Sequence, residues 1–191
     1  MRAGFPDFRL GTVLATSFTA TLTERCGDPV ERIPVPRRLV DWLAVNGLGV
    51  DSCTAAQLDL AWELRESIHL AATAAATQDA LPAPAVQVIN DRSVEGRAAA
   101  ILTPEGARRW RLGPASRVED ALSVIAADAV SILAGERDGK LALCASPTCR
   151  AAFFDTSQSR TRRWCEMNTC GNRQKKARFN ARQREHSRSA E

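Results

Sequence analysis

The chain has 191 residues, 45% of them hydrophobic and 25% charged, with a net charge of +4. That is room for one domain or one domain plus a small appendage, and a chain this long buries roughly 70% of its unfolded surface without covalent staples. The composition excludes global disorder, and no stretch reaches the ~18 uncharged apolar residues of a membrane span.

In chain order, residues 1–8 carry one Arg and one Asp, and the apolar run 10–15 is too short for a leader core, so a cytoplasmic location is expected. Leu14, Phe18 and Leu22 stand four apart and predict a helix within residues 11–25. Pro36 opens a second helix through Leu39, Val40, Trp42 and Leu43, closed at Gly47. Thr54 with Gln57 forms a capping box for a long third helix, whose inner face is Leu58, Ala61, Leu64, Ile68 and Ala72. A fourth helix follows Pro82 and Pro84 and carries Val86, Ile89 and Asn90. Residues 98–103, a Pro104-Glu105-Gly106 turn and residues 109–112 predict a β-hairpin. Ser116 with Glu119 predicts a further capping box, for a helix through Leu122, Ile125, Ala129, Ile132 and Leu133 to Gly135. The expected fold is α+β, mainly α: a helical bundle with one β-hairpin over residues 1–140, then a small module over 141–185 and a flexible tail at 186–191.

Charge divides the chain in a similar way. Residues 150–191 hold 11 Lys and Arg against 4 Asp and Glu, a balance of +7, whereas residues 1–149 hold 15 against 18, a balance of −3. A mildly acidic body with a strongly basic end points to an end that seeks an anion.

Four of the six cysteines, Cys144, Cys149, Cys165 and Cys170, form two C-x4-C pairs separated by fifteen residues. In a cytoplasmic chain such spacing reads as metal ligands before disulfides. Each short loop lets two thiolates grip one cation, and two loops supply the four soft sulfurs of a tetrahedron, the geometry of structural Zn²⁺. Fe–S clusters also take four thiolates, but usually at other spacings. Four sulfurs leave no open position for water, so the metal would make the fold and do no Lewis-acid chemistry. Cys26 and Cys53 stand alone and read as buried or idle thiols.

Between the cysteine pairs, Phe153 and Phe154, a polar turn and then Arg160, Arg162, Arg163 and Trp164 suggest a second hairpin feeding the metal from both sides, with the aromatics packed on the knuckles. After Cys170, Asn172 is a plausible N-cap for a helix that is polar nearly all round. Lying along a phosphate backbone would stabilise such a helix. Its Arg173, Lys175, Lys176, Arg178, Arg182 and Arg184, with Arg160, Arg162 and Arg163, are the candidate nucleic-acid contacts.

The run C-x4-C, F-F-D-T-S, R-R-W-C and C-G-N-R-x-K, ending on Cys170-Gly171-Asn172-Arg173, resembles the CGNR-type zinc finger of bacterial stress-induced transcription regulators. The helical body is similar to the ABATE domain that precedes this finger, although the L-D-F/L-V-N/A-T-L start of that domain has no acidic counterpart in residues 14–22 here. The resemblance implies DNA binding through the finger and regulation through the body. Double-stranded DNA is therefore the expected partner, with RNA or protein docking as alternatives; the body is expected to sense a small effector or to form a homodimer. Neither a P-loop, nor H-E-x-x-H, nor G-x-S-x-G occurs, and Gly47-Leu48-Gly49 lacks a third glycine, so no enzyme is expected. Glu63 and Glu66 read as a solvated helix face, and His69 as a surface or satisfied residue.

Overall fold

The computed structural model describes residues 5–11 and 13–189, with side chains as far as Arg184. Six helices, three two-stranded antiparallel pairs and one π-helical turn follow one another as α1 (Leu14–Thr19), β1 (Leu22–Thr23), β2 (Val30–Glu31), α2 (Pro36–Val45), α3 (Ala55–Thr77), α4 (Ala83–Glu95), β3 (Ala99–Leu102), β4 (Arg108–Arg111), α5 (Val118–Leu133), β5 (Lys140–Leu143), β6 (Ala152–Asp155), the π-turn (Met167–Gly171) and α6 (Asn172–Ser189). The mainly-α class holds. No described helix is long and apolar enough to cross a membrane.

The helices start where the local chemistry says they must. Thr54 Oγ1 accepts from the Gln57 backbone N–H at 3.2 Å, and Gln57 Oε1 accepts from the Thr54 N–H at 2.9 Å, closing the capping box of α3. Pro36 occupies the first position of α2. At α5 the box sits one residue later than Ser116–Glu119 suggests: Arg117 is the N-cap, and the Asp120 carboxylate accepts from its backbone N–H at 3.2 Å.

The first helix is shorter than its apolar spacing predicts, because hydroxyls intervene. Ser17 Oγ donates to the Val13 carbonyl at 2.8 Å and Thr21 Oγ1 to that of Phe18 at 2.7 Å. Such side chains divert backbone groups locally. The chain turns after Thr19, and Leu22 falls in β1, paired with Glu31 of β2, a strand pair the apolar pattern does not announce.

The core centres on α5, which is apolar almost all round and correspondingly buried, with α3, α4 and α1 packed on it. Phe18 and Trp42, both fully buried, meet at 5.1 Å between ring centroids. Glu63 and Glu66 do lie in ion pairs, Glu63 with Arg92 and Glu66 with Arg25 and Arg65. His69 departs from its reading: its Nδ1 is buried without a hydrogen-bond partner among the described residues, and burial pushes its pKa down to about 4, so it stays neutral. Cys26 is exposed, whereas Cys53 is half-buried against the edge of the core, so neither is a fully buried thiol.

The module after residue 140 does not stand apart. Its hairpin is β5–β6, with Leu141 opposite Phe154 and Leu143 opposite Ala152, and it packs on α3. Leu141, Ala152 and Phe154 belong to the same buried cluster as Phe18 and Trp42. The second hairpin therefore lies around the first cysteine pair, and not between the two pairs. Phe154 completes the body's core instead of the metal knuckle.

Candidate metal centre and basic helix

Cys144 directly follows β5, and its N–H donates to the Ala151 carbonyl at 2.9 Å, extending the ladder by one rung. The chain then turns back: the Cys149 and Arg150 N–H groups both donate to the Ser146 carbonyl, at 3.2 and 3.1 Å. Asp155, at the end of β6, accepts from the Ser157 N–H and from the Arg162 N–H, both at 2.9 Å, which closes the intervening loop. That closure lays residue 163 against the first knuckle, where its carbonyl accepts from the Ala145 N–H at 2.8 Å. The second pair arrives on this return strand. Cys165 precedes an extended Glu166, whose carbonyl accepts from Cys170 and Gly171 and so starts the π-turn. Asn172 is already helical, so it is not the N-cap; Cys170 rides in the turn that leads into α6.

The four sulfurs converge. They lie within 4.8 Å of one another, with Cys149–Cys165 and Cys165–Cys170 both at 3.7 Å between Sγ atoms. A tetrahedron with Zn–S bonds of ~2.3 Å has edges of about 3.8 Å, so the quartet fits a Zn²⁺ ion. Cys144, Cys149 and Cys170 are fully buried and Cys165 partly so.

Electrostatics make the same demand. Hydrogen bonding with Cys144 and Cys149 pushes the Cys165 thiol up, burial and then the neighbouring sulfur charges push Cys170 up to about 12, and bonds from Cys149 and Cys165 bring Cys144 down to about 2. Crowded, buried sulfurs resist ionising side by side, and a divalent cation would supply the positive charge that lets the four bind as thiolates. Structural zinc is the cofactor this donor set suits.

Around the centre, Trp164 packs on the cysteine cluster. Gly171 is there because space is short: a Cβ would lie 2.3 Å from Met167 Sδ and 3.2 Å from Trp164 Cδ1. Arg173 turns inward. Its Nη1 and Nη2 donate to Glu24 at 2.5 and 2.8 Å, while Thr148 Oγ1, inside the first knuckle, donates to the same carboxylate at 2.7 Å. The Arg173 guanidinium beside Glu24 holds that carboxyl below its usual range, against the opposing effect of burial.

The nine basic candidates thus divide. Arg160 pairs with Asp138, and Arg162 donates to the Cys165 carbonyl at 2.9 Å and lies 5.4 Å from the Phe153 ring centroid. Arg163 lies over Trp164 at 5.3 Å. Arg173 holds Glu24. Lys175, Lys176, Arg178, Arg182 and Arg184 remain together on α6, all exposed. That helix continues to Ser189, beyond residue 185, and residues 190–191 lie outside the described residues. Glu24 and Thr148 had no signal in the sequence. Asp155 had one, the Asp-Thr-Ser turn following two aromatics.

No curated protein matches the chain. Two family models do: the CGNR zinc finger over residues 140–183, which encloses all four cysteines, and the ABATE domain over residues 12–136. With most of its length matched, the chain belongs to the ABATE family, described as "putative stress-induced transcription regulator", and ends in a CGNR zinc finger.

Proposed function

We propose that the protein is a DNA-binding transcription regulator that grips the phosphate backbone with α6. The observation that carries this reading is the contrast within that helix. Its start is fixed by Cys170 and the Arg173–Glu24 pair, whereas from Lys175 to Arg184 every residue is exposed. Lys175, Arg178 and Arg182, three and four residues apart, share one face. A helix polar all round has no core to seal, and a rigid rod of cations suits a polyanion. The body is the regulatory part in this reading.

Duplex DNA is favoured over single-stranded RNA because aromatics for stacking bases are scarce. Phe153 and Phe154 are buried and Trp164 packs on the cysteines, while Phe179 stays exposed.

The test is fluorescence anisotropy of the zinc-loaded chain on duplex DNA over a range of salt. Five phosphate contacts predict a slope of log K on log[salt] of about −4.5, and Lys175→Ala/Lys176→Ala/Arg178→Ala should flatten it by about 2.7. A slope near zero removes the reading.

A further inference from the structure

A pocket of about 300 Å³ lies where the body meets the metal module. The segment before α1 contributes Arg9, α1 contributes Ser17, and Ala20 follows directly after that helix; the module contributes Phe153, Arg162 and Glu166. This size is at the lower end for sites that take small organic molecules.

Its polar groups are unevenly matched. The Arg9 side chain is 19% exposed, and its Nη1 is buried with no hydrogen-bond acceptor among the described residues. Its Nε lies 3.6 Å from Glu166 Oε2, too far for a hydrogen bond, and that carboxylate also accepts from Thr169 at 2.6 Å. Arg162, also in the lining, donates from Nη2 to the Cys165 carbonyl and lies over the Phe153 ring. Among the Arg and Glu residues of the lining, two guanidiniums stand against one carboxylate. A buried N–H of a charged group without an acceptor is costly, and an anionic acceptor removes that cost. Ala20, Ala151, Ala152 and Phe153 supply an apolar wall for the rest of such a molecule.

We infer that this junction is a binding site for a small organic carboxylate, whose carboxylate group is held by Arg9 and Arg162 and whose apolar body lies against Phe153 and Ala20. The occupant would touch both the body and the segment that presents Cys165 and starts the π-turn into α6. Ligand state and helix placement are thereby linked. The site stands on its own lining and does not depend on what α6 binds.

The probes are benzoate and its neutral counterpart benzyl alcohol, read by saturation-transfer NMR on the zinc-loaded full chain. Benzoate should bind with a Kd in the millimolar range or tighter and at least tenfold more tightly than benzyl alcohol. Arg9→Met should weaken benzoate at least tenfold, and Arg108→Met, on the β4 strand, should leave it unchanged. Ala20→Leu, which fills the pocket without touching a charge, should abolish binding and keeps the test open if Arg9→Met fails to fold. No transfer from benzoate, equal transfer from both probes, or unaltered binding in a folded Arg9→Met or Ala20→Leu chain would overturn the assignment. None of these outcomes bears on the salt slope with DNA, so the two proposals fail separately.

Discussion

Arg173 and Glu24, 149 residues apart, meet through two hydrogen bonds at the root of the basic helix. Glu24 sits in the loop between β1 and β2, and the neighbouring Cys26 N–H donates to the Thr148 carbonyl at 3.0 Å, so loop, first knuckle and helix join at one point. The arginine of the Cys-Gly-Asn-Arg signature is then a strut between the body and α6. A double-mutant cycle with Glu24→Gln and Arg173→Met measures it by urea unfolding. Charged hydrogen bonds contribute ~1.5–3 kcal/mol, and the 40% exposure of the Arg173 side chain screens this pair, so a coupling of about 1 kcal/mol is expected. Zero coupling would mean that the two residues are neighbours without being partners.

Metal removal should be felt beyond the finger. Leu141, Ala152 and Phe154 lie in the body's core, and all belong to the hairpin that the first cysteine pair closes. Chelation should therefore lower the unfolding midpoint of the whole chain in one transition. For a chain of this size, each 1 kcal/mol is worth ~2–4 °C, so a loss of about 4 kcal/mol moves the midpoint by roughly 8–16 °C. Scanning calorimetry with and without a chelator reads this. Two separate transitions, with the larger one unmoved, would show that finger and body fold independently.

What the sequence made legible were patterns with a short period. The capping box at Thr54, Pro36 at the head of α2 and the paired cysteine spacing each depend on residues within a few positions of one another, and each is present. Hidden were the features set by long-range placement. Phe153 and Phe154 look alike as neighbours in a basic module, yet strand alternation turns Phe154 into the body's core while Phe153 lies beneath Arg162. Arg173 is indistinguishable from Lys175 by charge, and only the fold brings Glu24 to one and not to the other. The short α1 was legible in principle, because Thr16, Ser17, Thr19 and Thr21 crowd a segment whose apolar spacing alone suggests a longer helix.

Gly139 marks the approach to the finger more tightly than its place in a loop suggests. A Cβ there would lie 2.2 Å from Phe154 Cε1 and 2.5 Å from Cζ, on a ring that is only 7% exposed. Gly139→Ala should therefore destabilise the chain by about 1–3 kcal/mol, the usual range for overpacking. Gly49→Ala, with nothing within 4 Å of the added methyl, is the control and should cost far less. Equal midpoints in urea for both variants would show that the ring yields freely.

Asp120 gives the fold a dependence on acid. Its carboxylate is almost fully buried at the start of α5 and accepts from the Arg97 N–H at 2.7 Å and the Arg117 N–H at 3.2 Å. Burial alone would raise its pKa; the two backbone donors and the Arg117 charge outweigh it and hold the group below its ordinary value. The folded chain thus keeps this carboxylate ionised to lower pH than the unfolded chain does. Its contribution is complete above the unfolded value near 4 and is lost as pH falls through the lower, folded one. Asp120→Asn should cost about 2 kcal/mol at pH 7, since its amide group faces a backbone N–H that needs an acceptor. The gap between wild type and variant should narrow below pH 4 in urea unfolding. A gap that stays constant from pH 7 to pH 3 would show that packing, and not the charge, is what Asp120 provides.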